Sequence, residues 1–240
     1  MDDALLLDLG NTRLKWALWR GGALGAVAAT TLDALPALPH ADHALIAASN
    51  ADPAVQARLD DALAKAGITR IERIGPPHDD ALLRLAYAEP ATLGVDRWLA
   101  MRAARRRVDG AFLLASVGTA LTLDAVDAAG RHLGGLIAPS PACMREALLG
   151  RAAHLRRPGG RLREFADNTA DAVHSGSLLA AAVLVERLHE QLARRLDQSP
   201  ALILGGGGAD ELRPALRIES RIQPDLVLHG LADWLTFEPP

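Results

Sequence analysis

The 240-residue chain is half hydrophobic, enough to bury a sizeable core as one large or two small domains. Its formal net charge of −3 argues against a generic nucleic-acid binder, and its only cysteine, Cys143, excludes an intramolecular disulfide and any Cys-based zinc site, in keeping with a reducing cytosol. Asp2 and Asp3 stand where a signal peptide is basic, and no apolar run approaches the roughly 18–20 residues that span a bilayer, so a cytoplasmic protein with no membrane or nucleic-acid partner is expected.

Residues 3–32 read as strands joined by turns. Ala4 to Leu7 is an apolar run that enters Asp8-Leu9-Gly10-Asn11-Thr12-Arg13-Leu14-Lys15 and leaves as Trp16 to Trp19, with Gly21-Gly22 at the next reversal. Ala44 to Ala48 reads as a strand ending at Ser49-Asn50. Pro53 to Ala66 has helical spacing, with a first-turn proline and Gly67 as C-cap. Ile68 to Ile74 reads as a strand, and Asp80 to Ala86 as a short helix before Tyr87, the only tyrosine. Beyond the break at Pro90 to Gly94, Val95 to Arg107 reads as a helix with Asp96 and Arg97 in its first turn.

Ala111 to Ala115 is a second apolar strand running into Ser116-Val117-Gly118-Thr119-Ala120-Leu121-Thr122-Leu123-Asp124, with a later reversal at Ala129-Gly130. The likeness to the opening stretch predicts an internal duplication whose halves meet near residue 110, residues 1–110 and 111–240. Gly134 to Ser140 closes this hairpin and starts a helix containing Cys143, read as a packing residue. Arg151 to Arg163 is a basic loop with five arginines, suited to an anionic substrate or simply solvated. A long helix follows from about Ala170 to Leu196, with Leu178, Leu179, Ala182, Val185, Leu188, Leu192 and Leu196 on its apolar face. Ala201 to Leu204 is a strand entering Gly205 to Gly208, and Leu226 to Leu228 and Gly230 to Leu235 close the chain as strand and helix.

The chemistry offered by these residues points towards phosphate. The turn after the first strand holds a carboxylate, an amide, a hydroxyl and an ammonium group, with Gly10 permitting close approach; taken alone it reads as an ordinary hairpin, and the rest of the chain shifts the reading towards phosphate. There is neither a P-loop nor a Rossmann glycine signature after the first strand. The glycine run at 205–208 would admit a nucleotide or serve as a flexible turn. Asp96 is placed to deprotonate a hydroxyl and Arg97 to clamp an anion, although an acid at a helix start is also a common cap.

Taken together, the stretches 8–15, Gly94-Val95-Asp96-Arg97, 118–124, Gly134-Gly135-Leu136-Ile137-Ala138-Pro139, Asn168-Thr169-Ala170-Asp171-Ala172 with Gly176, and Leu226 to Leu231 resemble the type III pantothenate kinases, the family that includes the Bvg accessory factors. The resemblance spans nearly the whole chain in the family's order. It implies a duplicated two-domain α/β fold of the actin-like, acetate and sugar kinase, Hsc70 (ribonuclease H-like) class with an interdomain ATP cleft, usually in a homodimer. The activity implied is ATP- and magnesium-dependent phosphorylation of the terminal hydroxyl of pantothenate, the first step towards coenzyme A. Asp8, Leu9, Gly10, Asn11, Thr12, Arg13, Leu14 and Lys15 would bind ATP phosphates, Asp8 would help hold Mg2+, and Gly118 and Thr119 would contact ATP.

The same resemblance makes Asp96 the proton acceptor and assigns Tyr87, Gly94, Val95, Arg97 and Thr169 to pantothenate. Read alone, Tyr87 is equally a core aromatic and Thr169 a helix N-cap. Two positions depart from the pattern. Ser116 replaces the family's aspartate at the monovalent-cation site for K+ or NH4+, which puts that cation requirement in question. Ser140 replaces a glycine, so its backbone either avoids φ > 0 or is strained there. A catalytically silent nucleotide-binding regulator on the same fold is the alternative that Ser116 favours; a kinase for another small molecule is a third.

Overall fold

The computed structural model describes residues 3–49 and 52–237; Asp2 and the Asn50 expected to close a strand lie outside the described residues. The chain divides into two units, Met1–Arg107 with Asp225–Pro240, and Val108–Pro224.

In the first unit, β1 (Ala4–Leu9) and β2 (Arg13–Arg20) pair antiparallel, with Leu6 opposite Ala17 and Asp8 opposite Lys15. The short β3 (Ala23–Leu24) and β4 (Ala28–Thr31) also lie antiparallel along β2. On its other side β1 is joined in parallel by β5 (His43–Ala48), and β5 by β6 (Arg70–Arg73), giving the order β3-β2-β1-β5-β6. β1 is apolar at every position but Asp8 and its leucines are inaccessible to solvent, as a central strand covered on both faces requires.

The crossover between β5 and β6 is α1 (Pro53–Lys65), which starts at an Asp52 side chain accepting from the Ala54 amide (2.9 Å) and stops before Gly67 at φ +76°. Its Val55, Leu59 and Leu63 pack with Leu5, Leu7, Leu9, Leu14 and Ile46. Two further helices, α2 (Val95–Arg107) and α6 (Leu226–Phe237), pack on each other, and α6 also packs on β1 and β5. Their approach is close because Gly230 has no side chain: a Cβ there would stand 2.6 Å from the Leu99 carbonyl oxygen. A two-pronged Arg107–Asp233 contact (2.7 and 3.2 Å) joins the same helices.

The second unit repeats the plan. β7 (Phe112–Val117), β8 (Ala120–Val126) and β9 (His132–Pro139) form an antiparallel meander, β10 (Ala201–Gly205) joins β7 in parallel, and β11 (Arg221–Ile222) joins β10. The order β11-β10-β7-β8-β9 carries the same sequence of antiparallel and parallel neighbours as the first sheet. The connections include α3 (Pro141–Arg151), α4 (Thr169–Leu196) and the single turn α5 (Ala209–Leu212). Leu178, Ala182, Val185 and Leu192 of α4 cover Leu113, Ala115 and Leu123, with Leu188 and Leu196 partly buried beside them.

Three expectations are corrected. Asp80 to Ala86 is not helical: the Asp80 carboxylate takes the amides of Leu82 and Leu83 (2.7 and 2.8 Å) and Asp79 takes that of Leu85 (2.8 Å). These bonds offer the backbone an alternative to the helix ladder. Leu226 to Leu228 is the first turn of α6 rather than a strand, since tight packing on α2 overrides the β preference of an apolar triplet. For the same reason α6 belongs to the first unit, although a division at residue 110 would leave it in the second.

Candidate active site

The turn between β1 and β2 is closed by the Gly10 amide donating to the Arg13 carbonyl (3.0 Å), and a Cβ on Gly10 would lie 3.3 Å from that same oxygen. Asn11, Thr12 and Arg13 are exposed, whereas Leu9 and Leu14 are fully buried and serve the core. Asp8 and Lys15 face each other across the ladder at the root of the turn, both partly buried. Lys15 donates from Nζ to Asp225 Oδ1 at 2.8 Å.

Burial and the nearby charges of Asp96 and Asp225 push the Asp8 carboxyl up to about 7, against the opposing pull of Lys15. Three carboxylates and one ammonium therefore share one electrostatic environment. Asp225 is absent from the sequence reading; its partner is 210 positions away, and the only local signal is a Pro-Asp pair ahead of an apolar run.

Asp96 opens α2. Its Oδ1 accepts from the Arg97 amide (2.9 Å), and a Cβ on Gly94 would sit 2.5 Å from that oxygen, so the glycine leaves room for the carboxylate. The Gly94 carbonyl accepts from Trp98 (3.1 Å), starting the helix, with Val95 its first residue. Arg97 is 7% exposed; its Nη1 donates to the Tyr87 hydroxyl (3.0 Å), and its guanidinium lies 5.8 Å from the centre of the Tyr87 ring. Tyr87 is thus only partly buried and held by Arg97 rather than packed as a plain core aromatic. The loop bearing Tyr87 is anchored upstream by Asp80, which pairs with the fully buried Arg102 of α2. Arg102 in turn lies over Trp98 and Trp234 at 4.9 and 5.5 Å.

The second unit holds the remaining candidates. Gly118 donates to Ala120 (2.9 Å) to close the β7–β8 turn, and Thr119 is exposed there. The Thr119 carbonyl accepts from Ser140 Oγ (3.0 Å), and that same Oγ accepts from Cys143 N (3.2 Å) as the N-cap of α3. Ser140 sits at φ −67°, so its substitution for glycine carries no backbone strain and gains a cap. Gly206 and Gly208 abut Val117, and Gly208 N donates to its carbonyl (3.0 Å); close packing on the end of β7 accounts for these two glycines, whereas a Cβ on Gly207 would meet nothing within 4 Å.

Ser116 is partly buried opposite Thr122. Asp124, on the same face of the β7–β8 pair, is buried and hydrogen-bonded to His132 (3.1 Å). Thr169 is the exposed first residue of α4; the N-cap is Asn168, whose Oδ1 accepts from Asp171 (3.0 Å). Among the described residues no group of three or more His, Cys, Asp or Glu is placed to hold a metal, and no helix is long and apolar enough to cross a membrane. Mg2+ commonly needs only one or two carboxylates, with phosphate and water completing its shell, and the crowded Asp8 carboxylate fits that donor set.

A family model described as type III pantothenate kinase matches residues 4–191. A type III pantothenate kinase of Stenotrophomonas maltophilia is 40% identical over 240 residues, covering 98% of both chains. One from Xanthomonas axonopodis pv. citri is 42% identical over 237 residues, covering 96% of both. Among solved structures, a conserved Baf family protein from Campylobacter jejuni superposes with a TM-score of 0.63 at 19% identity, covering 98% of each chain. That last likeness is one of fold, and it agrees with the α/β sheet plan repeated in the two units.

Proposed function

The chain belongs to the type III pantothenate kinases and is a pantothenate kinase, and on that premise we propose that ATP is its phosphate donor and the terminal hydroxyl of pantothenate its acceptor. The product is 4′-phosphopantothenate, the first intermediate on the way to coenzyme A. The observation that supports this reading is the electrostatic coupling of Asp8 to Asp96: residues 88 positions apart (96 − 8) come close enough for one carboxylate to raise the pKa of the other.

In this reading Asp96 accepts the hydroxyl proton as the oxygen attacks the γ-phosphorus, and the bond to the bridging oxygen breaks to release ADP. Gly94 keeps the Asp96 carboxylate in place and Arg97 N–H fixes its direction. Arg97 and Tyr87, bonded to each other, bind and orient pantothenate, with Val95 and Thr169 as further contacts. The turn of residues 8–15 cradles the phosphates, Lys15 supplying positive charge, and Gly118 and Thr119 keep the ATP contact that the resemblance gives them.

Asp8 would hold Mg2+, which when bound offsets charge on the phosphates. A monovalent cation fits less well: Ser116 offers a neutral hydroxyl, and Asp124 beside it is engaged by His132, so no step depends on one. The resemblance to the family supports a homodimer in the cytoplasm, and light scattering on the purified chain tests the oligomeric state.

The test supplies the purified protein with magnesium-ATP and pantothenate, with and without K+ or NH4+, and follows ADP release. Pantothenate-dependent ADP and a phosphorylated product are expected. Absence of both under every cation overturns the proposal.

A further inference from the structure

Asp225 has no part in the activity as derived so far, yet several independent features converge on it. We propose that Asp225 is a positioning residue for the phosphate turn, holding the Lys15 ammonium in one place so that the lysine meets the triphosphate from a fixed side. This rests on the reading that the turn of residues 8–15 binds ATP phosphates.

The contact is short and only partly open to water: Lys15 Nζ stands 2.8 Å from Asp225 Oδ1, with the side chains 26% and 21% exposed. A lysine is a point charge on a four-carbon stem with many rotamers, and a fixed partner removes much of that freedom before substrate arrives. The backbone gives a second reason. Asp225 adopts φ +52°, a left-handed conformation that glycine would adopt at no cost and that most side chains resist. Aspartate is among the few side chains that tolerate this conformation, and here it also brings a carboxylate to the place where Lys15 ends. Third, the anchor is rigid. The Asp225 carbonyl accepts from His229 (3.0 Å) to open α6, and α6 is locked on α2 through Gly230 and the Arg107–Asp233 pair. Since α2 also carries Asp96, one helix pair sets both the proton acceptor and the partner of the phosphate lysine.

The carboxylate also repels an incoming phosphate, so its removal has two opposed effects on ATP binding and one on turnover. Asp225→Asn keeps the shape and the tolerance for positive φ while deleting the charge. Expected is a roughly tenfold fall in kcat, with magnesium-ATP affinity by calorimetry within about threefold of wild type and Tm nearly unchanged. The decisive arm is a double-mutant cycle with Lys15→Met, in which product is followed with radiolabelled ATP. If Asp225 acts through Lys15, Asp225→Asn costs less than about twofold in the Lys15→Met background. An equal loss in both backgrounds, or an unchanged kcat in the single variant, overturns the proposal and marks Asp225 as a helix anchor. Wild-type ATP affinity and kcat in Lys15→Met alone, with Asp225 intact, would instead overturn the phosphate reading of the turn.

Discussion

Replacing Asp8 with asparagine should stabilise the metal-free protein while abolishing its activity. In the folded chain the Asp8 carboxyl titrates near 7 instead of 3.8 because it is buried and flanked by Asp96 and Asp225. A carboxyl whose folded pKa is raised favours the folded state when protonated, so its contribution is fully present below the unfolded value and is lost as pH rises through the folded one. A rise of about three pKa units corresponds to about 4 kcal/mol, lost progressively between about pH 4 and pH 7. The asparagine amide mimics the protonated carboxyl at every pH. The substitution should therefore add roughly 1–2 kcal/mol at pH 5 and about 4 kcal/mol at pH 8.

The assay is urea unfolding in EDTA followed by tryptophan fluorescence. All four tryptophans, Trp16, Trp19, Trp98 and Trp234, lie in the unit that contains Asp8, so the signal reports that unit alone. A stability difference between variant and wild type that does not grow from pH 5 to pH 8, or a less stable variant at pH 8, would refute the reasoning.

Three further outcomes are expected. Asp96→Asn should lower kcat by about 10²–10⁴-fold while magnesium-ATP affinity by calorimetry stays near wild type, because the amide keeps the shape but cannot take the proton; near-normal turnover would remove Asp96 as the acceptor. Ser116→Asp should create or strengthen a potassium dependence of kcat, and an unchanged cation response would place the cation site elsewhere. Gly230→Ala forces a methyl against the Leu99 carbonyl and should cost about 1–3 kcal/mol in the same fluorescence-monitored unfolding.

Much of this was legible in local pattern. The first helical turn at Val95, the glycine turns at 10 and 118 and the doubled strand plan all follow from apolar runs broken by turn residues, and they appear where that pattern puts them. Asp96 and Arg97 were readable as a chemical pair because they are adjacent. What escaped has no local period. Asp225 acquires its role from Lys15, 210 positions earlier, and nothing in a window around either residue announces the other. The misread stretch at Asp80 to Ala86 has helical composition, but two aspartates capture the amides that a helix would use. Leu226 to Leu228 failed in the opposite way: a triplet suited to a strand is made helical by what it packs against.

The return of α6 to the first unit has a consequence for how the molecule is made. Residues 108–224 are continuous and can complete their fold as soon as they leave the ribosome, whereas the earlier unit must wait for chain beyond residue 224. Until then Gly94, Asp96, Arg97 and Lys15 have all been synthesised, but α2 lacks its covering helix and the lysine lacks its carboxylate. A chain ending before residue 225 would therefore carry Asp96, Arg97 and Lys15 without α6 against α2 and without Asp225 beside the lysine.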